Sequence, residues 1–247
     1  MATHSIKRGT GPISGRSSTD LRGAAVLRQQ ALAVVKGVLL WLAAFTPGAV
    51  IGSVAAFITG EPAVGAVLTQ ILFIATPLAL ARFPLRCGYG VMGFRINGLA
   101  LATALALLIA TGIAALVACA ALKVAGHGAF KYPVPGVWGG TAVYIALAFA
   151  LAPVGEETLF RGLLLGYMLD KGVNPWVAIA VAATLFSLIH VMPFSKAPLP
   201  QLAVVVGNAF LMSTIAGYLR KQTGSLLPSI ATHIGFNLGG FIAASLM

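Results

Sequence analysis

The sequence is poor in acidic residues and in charge of either sign. Only five of its 247 residues are Asp or Glu, and charged residues make up 9% of the chain. A soluble globular domain carries about 25% charged residues. Because hydrophobic residues account for 59%, the chain cannot cover a water-facing surface. The composition therefore excludes a soluble domain and predicts an integral membrane protein.

Cysteine and clustered basic charge are also scarce. The two cysteines, Cys87 and Cys119, form neither a CxxC metal pair nor a disulfide framework, so we expect free thiols. The 16 Lys and Arg residues give a net charge of +11, but they are scattered between hydrophobic segments. A nucleic-acid-binding protein would concentrate them in a basic domain or on one face. The chain is therefore predicted to have no nucleic-acid partner.

Long apolar segments predict the fold. A transmembrane helix needs about 20 mostly apolar residues. The segments that meet this description are 37–59, 63–81, 98–122, 140–169, 176–193, 199–219 and 226–247. Segment 140–169 contains Pro153 and Gly155, which favour a kink or a break. The predicted fold class is therefore an all-α, polytopic transmembrane bundle of about seven helices, or eight if this segment divides.

The basic residues predict the topology and the organisation of the chain. Cytoplasmic loops are enriched in Lys and Arg, and a single crossing by residues 140–169 gives the larger excess on one side. The predicted cytoplasmic set is Lys7, Arg8, Arg16, Arg22, Arg28, Lys36, Arg82, Arg86, Arg95, Lys171, Arg220 and Lys221, against Lys123, Lys131 and Lys196 outside. We expect a disordered basic cytoplasmic tail (1–30), N-terminal transmembrane helices (31–139) and a catalytic transmembrane domain (140–247).

Two adjacent glutamates lie inside an apolar segment, where charge is expensive. In the run Gly155-Glu156-Glu157-Thr158-Leu159-Phe160-Arg161, Glu157 and Arg161 are four residues apart and share a helix face, so they can pair. Glu156 points about 100° away and has no cation of its own. Ionisable residues in a membrane span mark functional sites by default. Glu156 is therefore the candidate general base, and a structural ion-pair cluster is the alternative.

Two histidine motifs follow in later segments. Phe186 precedes His190 by four residues, so the phenyl ring and the imidazole share a face. His233 and Asn237 also lie four apart, and Gly235 with Gly239 forms a small-xxx-small pattern that favours close helix packing. Each motif alone has a plain structural explanation, a satisfied polar group or an interhelical hydrogen bond.

Together, the three motifs predict amide hydrolysis in or near the membrane. If their helices pack together, Glu156 and His190 can activate a water molecule, and His233 and Asn237 can stabilise an oxyanion. Simple counting along the spans is in tension with this arrangement. It places His190 near the outer end of its helix and His233 near the cytoplasmic start of the last one.

The ordered set resembles the EExxxR, FxxxH and HxxxN motifs of the CPBP family, which contains CAAX prenyl endoproteases and bacteriocin-processing or immunity (Abi) proteins. The resemblance covers roughly residues 140–245. It implies a glutamic-type intramembrane endopeptidase in which Glu156 is the base and His190 assists it. His233 and Asn237 would form the oxyanion site, with Glu157, Arg161 and Phe186 in support.

Several alternatives stay open at this point. We favour catalysis without a cofactor, but Glu156, His190 and His233 are also a set that can bind catalytic zinc. A proton- or ion-coupled transporter would use the same ionisable groups as a relay, and a non-catalytic immunity or scaffold member would use none. Two other protease classes are excluded. Asp20 and Asp170, the only aspartates, lie outside the spans, and the GxSG motif of rhomboid-type serine proteases is absent.

The expected partners follow from this hypothesis. The substrate is predicted to be a membrane-anchored or lipidated protein or peptide that reaches the site from the lipid bilayer. We expect a multi-pass protein of the bacterial inner (cytoplasmic) membrane.

Overall fold

The computed structural model describes residues 18–126 and 141–246, and every regular element in those ranges is a helix. There are seven continuous helices in this part of the chain. They are α1 (Ser18–Thr59), α2 (Pro62–Arg82), α3 (Gly98–Val124), α4 (141–170), α5 (Pro175–Ile189), α6 (Leu199–Thr223) and α7 (Leu227–Leu246). The predicted all-α bundle is confirmed, and residues 141–170 form one helix rather than two.

Most of these helices suit a membrane. Five of them, α1 to α4 and α6, are long and apolar enough to cross a bilayer. The helix α5 is apolar but has 15 residues, which corresponds to a length of about 22 Å against a hydrocarbon core of about 30 Å. The chain is an integral, multi-pass membrane protein, and α5 reaches only part of the way through the layer.

The first helix begins earlier than predicted. It starts at Ser18, inside the segment 1–30 that the sequence predicted to be disordered. Residues 24–30 are Ala, Val, Leu, Arg and Gln, most of which have high helix propensity, and they run directly into the apolar part of α1. The prediction of disorder is therefore wrong from Ser18 onward, and residues 1–17 lie outside the described ranges.

The helix α4 lies at the centre of the bundle. Every residue from 157 to 166 is buried, and this stretch contacts α1, α2, α5 and α6. Its Phe160 ring packs against Trp41 of α1 at 5.5 Å and against Phe186 of α5 at 5.1 Å between ring centroids. A helix enclosed on all sides can hold side chains in a fixed, dry environment, which suits a site built on buried polar groups.

The predicted irregularity in α4 is present, but it takes a different form from a kink or break. Two segments, Leu147–Leu151 and Thr158–Leu165, are π-helical. The α-helical segment between them, Ala152–Glu157, has Pro153 in its first turn, where a missing backbone N–H is tolerated. π-helical turns occur frequently at functional sites. Here they flank the two adjacent glutamates.

The basic loops meet at one end of the bundle, which we call the basic end and define as residues 83–97, 171–174 and 220–226. Arg220 donates a hydrogen bond to the Val91 carbonyl at 2.6 Å, which ties α6 to the α2–α3 loop. The predicted cytoplasmic residues found in these three segments are Arg86, Arg95, Lys171, Arg220 and Lys221. Lys123 and Lys196 lie at the ends of α3 and α6 that are remote from these loops. The gathering of basic residues at one end agrees with seven crossings.

The last helix packs most extensively on α3. A Cβ atom added at Gly239 would overlap the Gly112 carbonyl oxygen, and one at Gly235 would overlap the Leu108 carbonyl oxygen. The two glycines therefore allow the backbones of α3 and α7 to touch, as the small-xxx-small pattern predicted. This contact fixes the helix that carries His233 and Asn237.

Candidate active site

The Glu157–Arg161 ion pair forms the interior of the site. The Nη1 atom of Arg161 lies 3.1 Å from Oε1 of Glu157, and both side chains are 0% exposed. The guanidinium also stacks on the Phe186 ring, with Cζ 4.6 Å from the ring centroid. A buried carboxylate needs such a partner because desolvation of an isolated ion is prohibitive. The pairing predicted from the four-residue spacing is confirmed.

His233 connects the two glutamates. Its Nδ1 lies 3.1 Å from Oε1 of Glu157, and its Nε2 lies 3.9 Å from Oε2 of Glu156. Since an ionised carboxylate only accepts hydrogen bonds, Nδ1 of His233 donates to Glu157. The outer nitrogen is thereby oriented toward Glu156.

Glu156 has quite different surroundings. Its side chain is 14% exposed, and its Oε1 accepts a hydrogen bond from Nε2 of Gln70 at 3.1 Å. Its Oε2 is buried and has no hydrogen-bond partner among the described residues. A buried oxygen without a partner is the expected position for a water molecule or a substrate group.

Phe186 and His190 bring α5 into the site. The Phe186 ring lies 4.7 Å from the His190 ring and 5.6 Å from the His233 ring, the latter edge to face. Nδ1 of His190 lies 2.7 Å from the Phe186 carbonyl oxygen, which leaves Nε2 as the atom available for chemistry. Phe186 is fully buried and thus sets the positions of Arg161 and both histidines.

Asn237 lies one helical turn beyond His233 on α7. Its Nδ2 donates a hydrogen bond to the Ala148 carbonyl at 2.8 Å, in the first π-helical segment of α4. A carboxamide nitrogen carries two N–H groups, so this contact uses one and orients the other. The first π-helical segment of α4 therefore contacts Asn237, the predicted oxyanion donor.

A cavity connects these groups. It measures about 40 Å³, which is enough for water, since a single water needs about 10–15 Å³. The polar side chains His190, His233, Asn237 and Asn208 contribute to its lining together with Phe186, and most of the other lining residues are apolar. The apolar residues include Ala115, Val204, Val205, Ala209 and Phe236. Glu156 is not in the wall and reaches the cavity region through its contact with His233.

The structure removes the conflict between topology and convergence. Ser187 of α5 bonds to the Val206 carbonyl of α6 at 2.7 Å, well inside α6, which begins at Leu199. Because α5 is short, its C-terminal end and His190 lie within the depth of the bundle rather than at its surface. The structure therefore brings all predicted site residues together.

Sequence reasoning missed two polar contributors, Gln70 of α2 and Asn208 of α6. Gln70 contacts Glu156, and Asn208 lines the cavity. The available signal was a lone amide within an apolar helix, which is expensive in a membrane unless it has a partner. The spacing of a single residue gives no motif, so the sequence did not reveal which group it contacts.

The residues named for a zinc site do not form one in this geometry. Within residues 18–126 and 141–246, no group of three His, Cys, Asp or Glu side chains has metal-binding spacing. We therefore derive no catalytic step through a metal.

Comparison with known proteins identifies the site-bearing segment. Residues 138–239 match the family model described as type II CAAX prenyl endopeptidase Rce1-like. This segment is similar to the Rce1-like family. It contains all three motifs, which supports the predicted CPBP resemblance and a protease, whereas α1 to α3 lie outside the Rce1-like match. No curated protein and no solved structure matches the chain.

Proposed function

We propose that the protein is a glutamic-type intramembrane endopeptidase that cleaves a peptide bond with a water molecule activated by Glu156. The observation that carries the proposal is that His190, His233 and Asn237 line one water-sized cavity and that His233 contacts Glu156. The three helices that supply these groups, α4, α5 and α7, meet at a carboxylate that is 14% exposed, where water can reach it.

The proposed chemistry follows from the contacts. Glu156 takes a proton from water through Oε2, and the resulting hydroxide attacks the scissile carbonyl. The carbonyl oxygen becomes an oxyanion, which receives a hydrogen bond from the second Asn237 N–H and from Nε2 of a protonated His233. Glu156 then returns the proton to the leaving amine nitrogen, with His190 assisting the transfer. The products are a new carboxylate and a free amine.

The Glu157–Arg161 pair supports this step without taking part in it. Arg161 neutralises Glu157, and Glu157 in turn accepts from Nδ1 of His233. This acceptor fixes the ring orientation of His233 in the way that a buried carboxylate orients a catalytic histidine. No metal is required in the proposed mechanism.

The proposed substrate is a membrane-anchored protein with a lipidated or strongly apolar segment near the scissile bond. The family description names a CAAX prenyl endopeptidase, and most of the residues that line the cavity are apolar. A bacterial inner membrane is the proposed location, where peptides or C-terminal anchors other than prenylated CAAX sequences are also candidate substrates.

The decisive experiment replaces the base by its isosteric amide. We expect Glu156→Gln to lower kcat by about 10²- to 10⁴-fold while the protein remains folded. The assay uses purified protein in proteoliposomes with an internally quenched, farnesylated CAAX peptide and an unprenylated twin. Cleavage by wild-type protein that persists at full rate in Glu156→Gln would overturn the glutamate mechanism. Failure of wild-type protein to cleave either peptide would remove the CAAX substrate class.

A further inference from the structure

Gln70 approaches the proposed base from the part of the chain that carries no family motif. It lies on α2, outside the Rce1-like match, and its Nε2 donates to Oε1 of Glu156 at 3.1 Å. Among the described residues, Gln70 is the side chain with which Glu156 forms a hydrogen bond. It occupies one carboxylate oxygen and leaves the other, Oε2, directed toward His233 at 3.9 Å.

The position of Gln70 is fixed by close packing between α2 and α4. A Cβ atom added at Gly155 would lie 2.5 Å from Oε1 of Gln70 and 2.9 Å from its backbone carbonyl oxygen. A residue larger than glycine at 155 would therefore push α2 away from the glutamate. The glycine directly before Glu156 lets a helix from the N-terminal region touch the site.

The contact with Glu156 is the main interaction of the Gln70 amide. Its Oε1 is buried and has no partner among the described residues, so the side chain bears a desolvation cost that its single contact with Glu156 must offset. An apolar residue would pack α2 against α4 without that cost. A glutamine at position 70 is therefore explained by its contact with Glu156 rather than by the packing of α2 on α4.

We propose that Gln70 is a positioning residue that holds the Glu156 carboxylate by Oε1 and presents Oε2 to the nucleophilic water. The inference rests on the function proposed above. The hydrogen bond from Nε2 of Gln70 fixes the rotamer of the carboxylate, which keeps the base within reach of its water. The assignment adds an N-terminal helix to a site that the family motifs place entirely in α4, α5 and α7.

The test compares Gln70→Met, which has similar length but no amide, with Thr69→Val at the neighbouring position. Thr69 bonds to the Gly48 carbonyl of α1, so its variant removes a polar contact of α2 that does not involve Glu156. We expect Gln70→Met to lower kcat about ten- to a hundred-fold, the range of one hydrogen bond to a charged group, with KM nearly unchanged. Thr69→Val should keep the wild-type kcat and KM.

The outcomes separate this inference from the proposed function. Glu156-dependent cleavage together with a wild-type kcat in Gln70→Met would overturn the role of Gln70 and leave the proposed function intact. Equal losses in Gln70→Met and Thr69→Val would also overturn it, because they would indicate a packing effect of α2. If Gln70→Met does not fold, Gln70→Asn is measured instead. Its amide is withdrawn by one methylene, so a wild-type kcat in that variant would contradict the proposal.

Discussion

Glu156 and Glu157 are neighbours in the chain, but they lie in two different regions of the protein. Glu157 is fully buried and shares its Oε1 between Arg161 and His233. Glu156 lies at the edge of the interior, where an amide holds one oxygen and the other has no partner among the described residues. Both glutamates have an Oε2 without a hydrogen-bond partner among the described residues, so they differ in burial and in the groups at Oε1. Glu157 faces a cation and an imidazole in the interior, whereas Glu156 faces an amide at its edge.

The rotation between successive helical residues produces this division. Adjacent side chains on a helix point about 100° apart, so a single Glu-Glu pair can face two environments. The π-helical turn that starts at Thr158 buries the next eight residues completely and leaves Glu156 at the boundary. Variants can test this division in two places, at the charge-balanced interior around Glu157 and at the cavity edge.

The largest expected effect comes from breaking the interior pair. Arg161→Met leaves the Glu157 carboxylate buried without its cation, which typically destabilises a protein by about 3–5 kcal/mol. We expect a marked drop in the thermal unfolding temperature in detergent and low yields from membranes. Circular dichroism during heating measures the change.

The double variant Glu157→Gln/Arg161→Met is the control for this prediction. It removes both charges, so it should recover much of the lost stability, while catalysis stays impaired because His233 loses its charged acceptor. A single Arg161→Met variant as stable as wild-type protein would show that the pair does not balance charge in the interior.

The next effect concerns the cavity edge. Asn237→Leu removes the proposed oxyanion donor, and loss of one such donor typically lowers kcat by about 10²- to 10³-fold. The variant also loses the hydrogen bond to the Ala148 carbonyl, which should reduce stability by only about 1 kcal/mol. Steady-state cleavage of the quenched peptide separates the large kinetic change from the small structural one.

Ser229→Ala is the matched control for Asn237. Ser229 is also on α7 and donates a buried hydrogen bond to the Ala216 carbonyl of α6 at 2.9 Å, away from the cavity. It should lose similar stability and keep its kcat. A comparable fall in kcat in both variants would assign the effect to displacement of α7 rather than to the oxyanion.

The sequence predicted much of this arrangement because its signals are local. Apolar length predicted the helices, the four-residue spacing predicted the Glu157–Arg161 pair, and the two glycines predicted the contact of α7 with another helix. These features depend on residues within one or two turns of each other, where helix geometry alone determines the neighbours.

The remaining features depend on long-range packing. Asn237 of α7 bonds to the Ala148 carbonyl in the first π-helical segment of α4, and the Gln70 contact joins residues 86 positions apart in the chain. The depth of His190 follows from how far α5 extends along α6, which counting residues in a span did not reveal. Such contacts leave no periodic pattern in the sequence, so only the folded chain shows them.

A smaller effect is expected from the α3–α7 contact that holds His233 in place. In Gly239→Ala the new Cβ meets the Gly112 carbonyl oxygen, so the backbones must separate, at about 1–3 kcal/mol for overpacking. The matched variant Gly207→Ala adds a methyl group on α6 where no atom lies within 4 Å and should be neutral. Thermal unfolding of the two variants measures the contrast, and equal stability would show that the close backbone contact does not contribute.

The smallest expected effect is that of metal removal, which should leave activity unchanged. A zinc ion would need Glu156, His190 and His233 as ligands. The described residues contain no group of three His, Cys, Asp or Glu side chains with metal-binding spacing. Peptide cleavage is therefore measured before and after stringent chelation, with the metal content of the protein determined in parallel.

Because Glu156 acts as a base in one mechanism and as a ligand in the other, its variants lose activity in both cases and cannot distinguish them. Chelation can, since loss of activity that zinc restores would reassign Glu156 from base to ligand and end the separation of roles between the two glutamates.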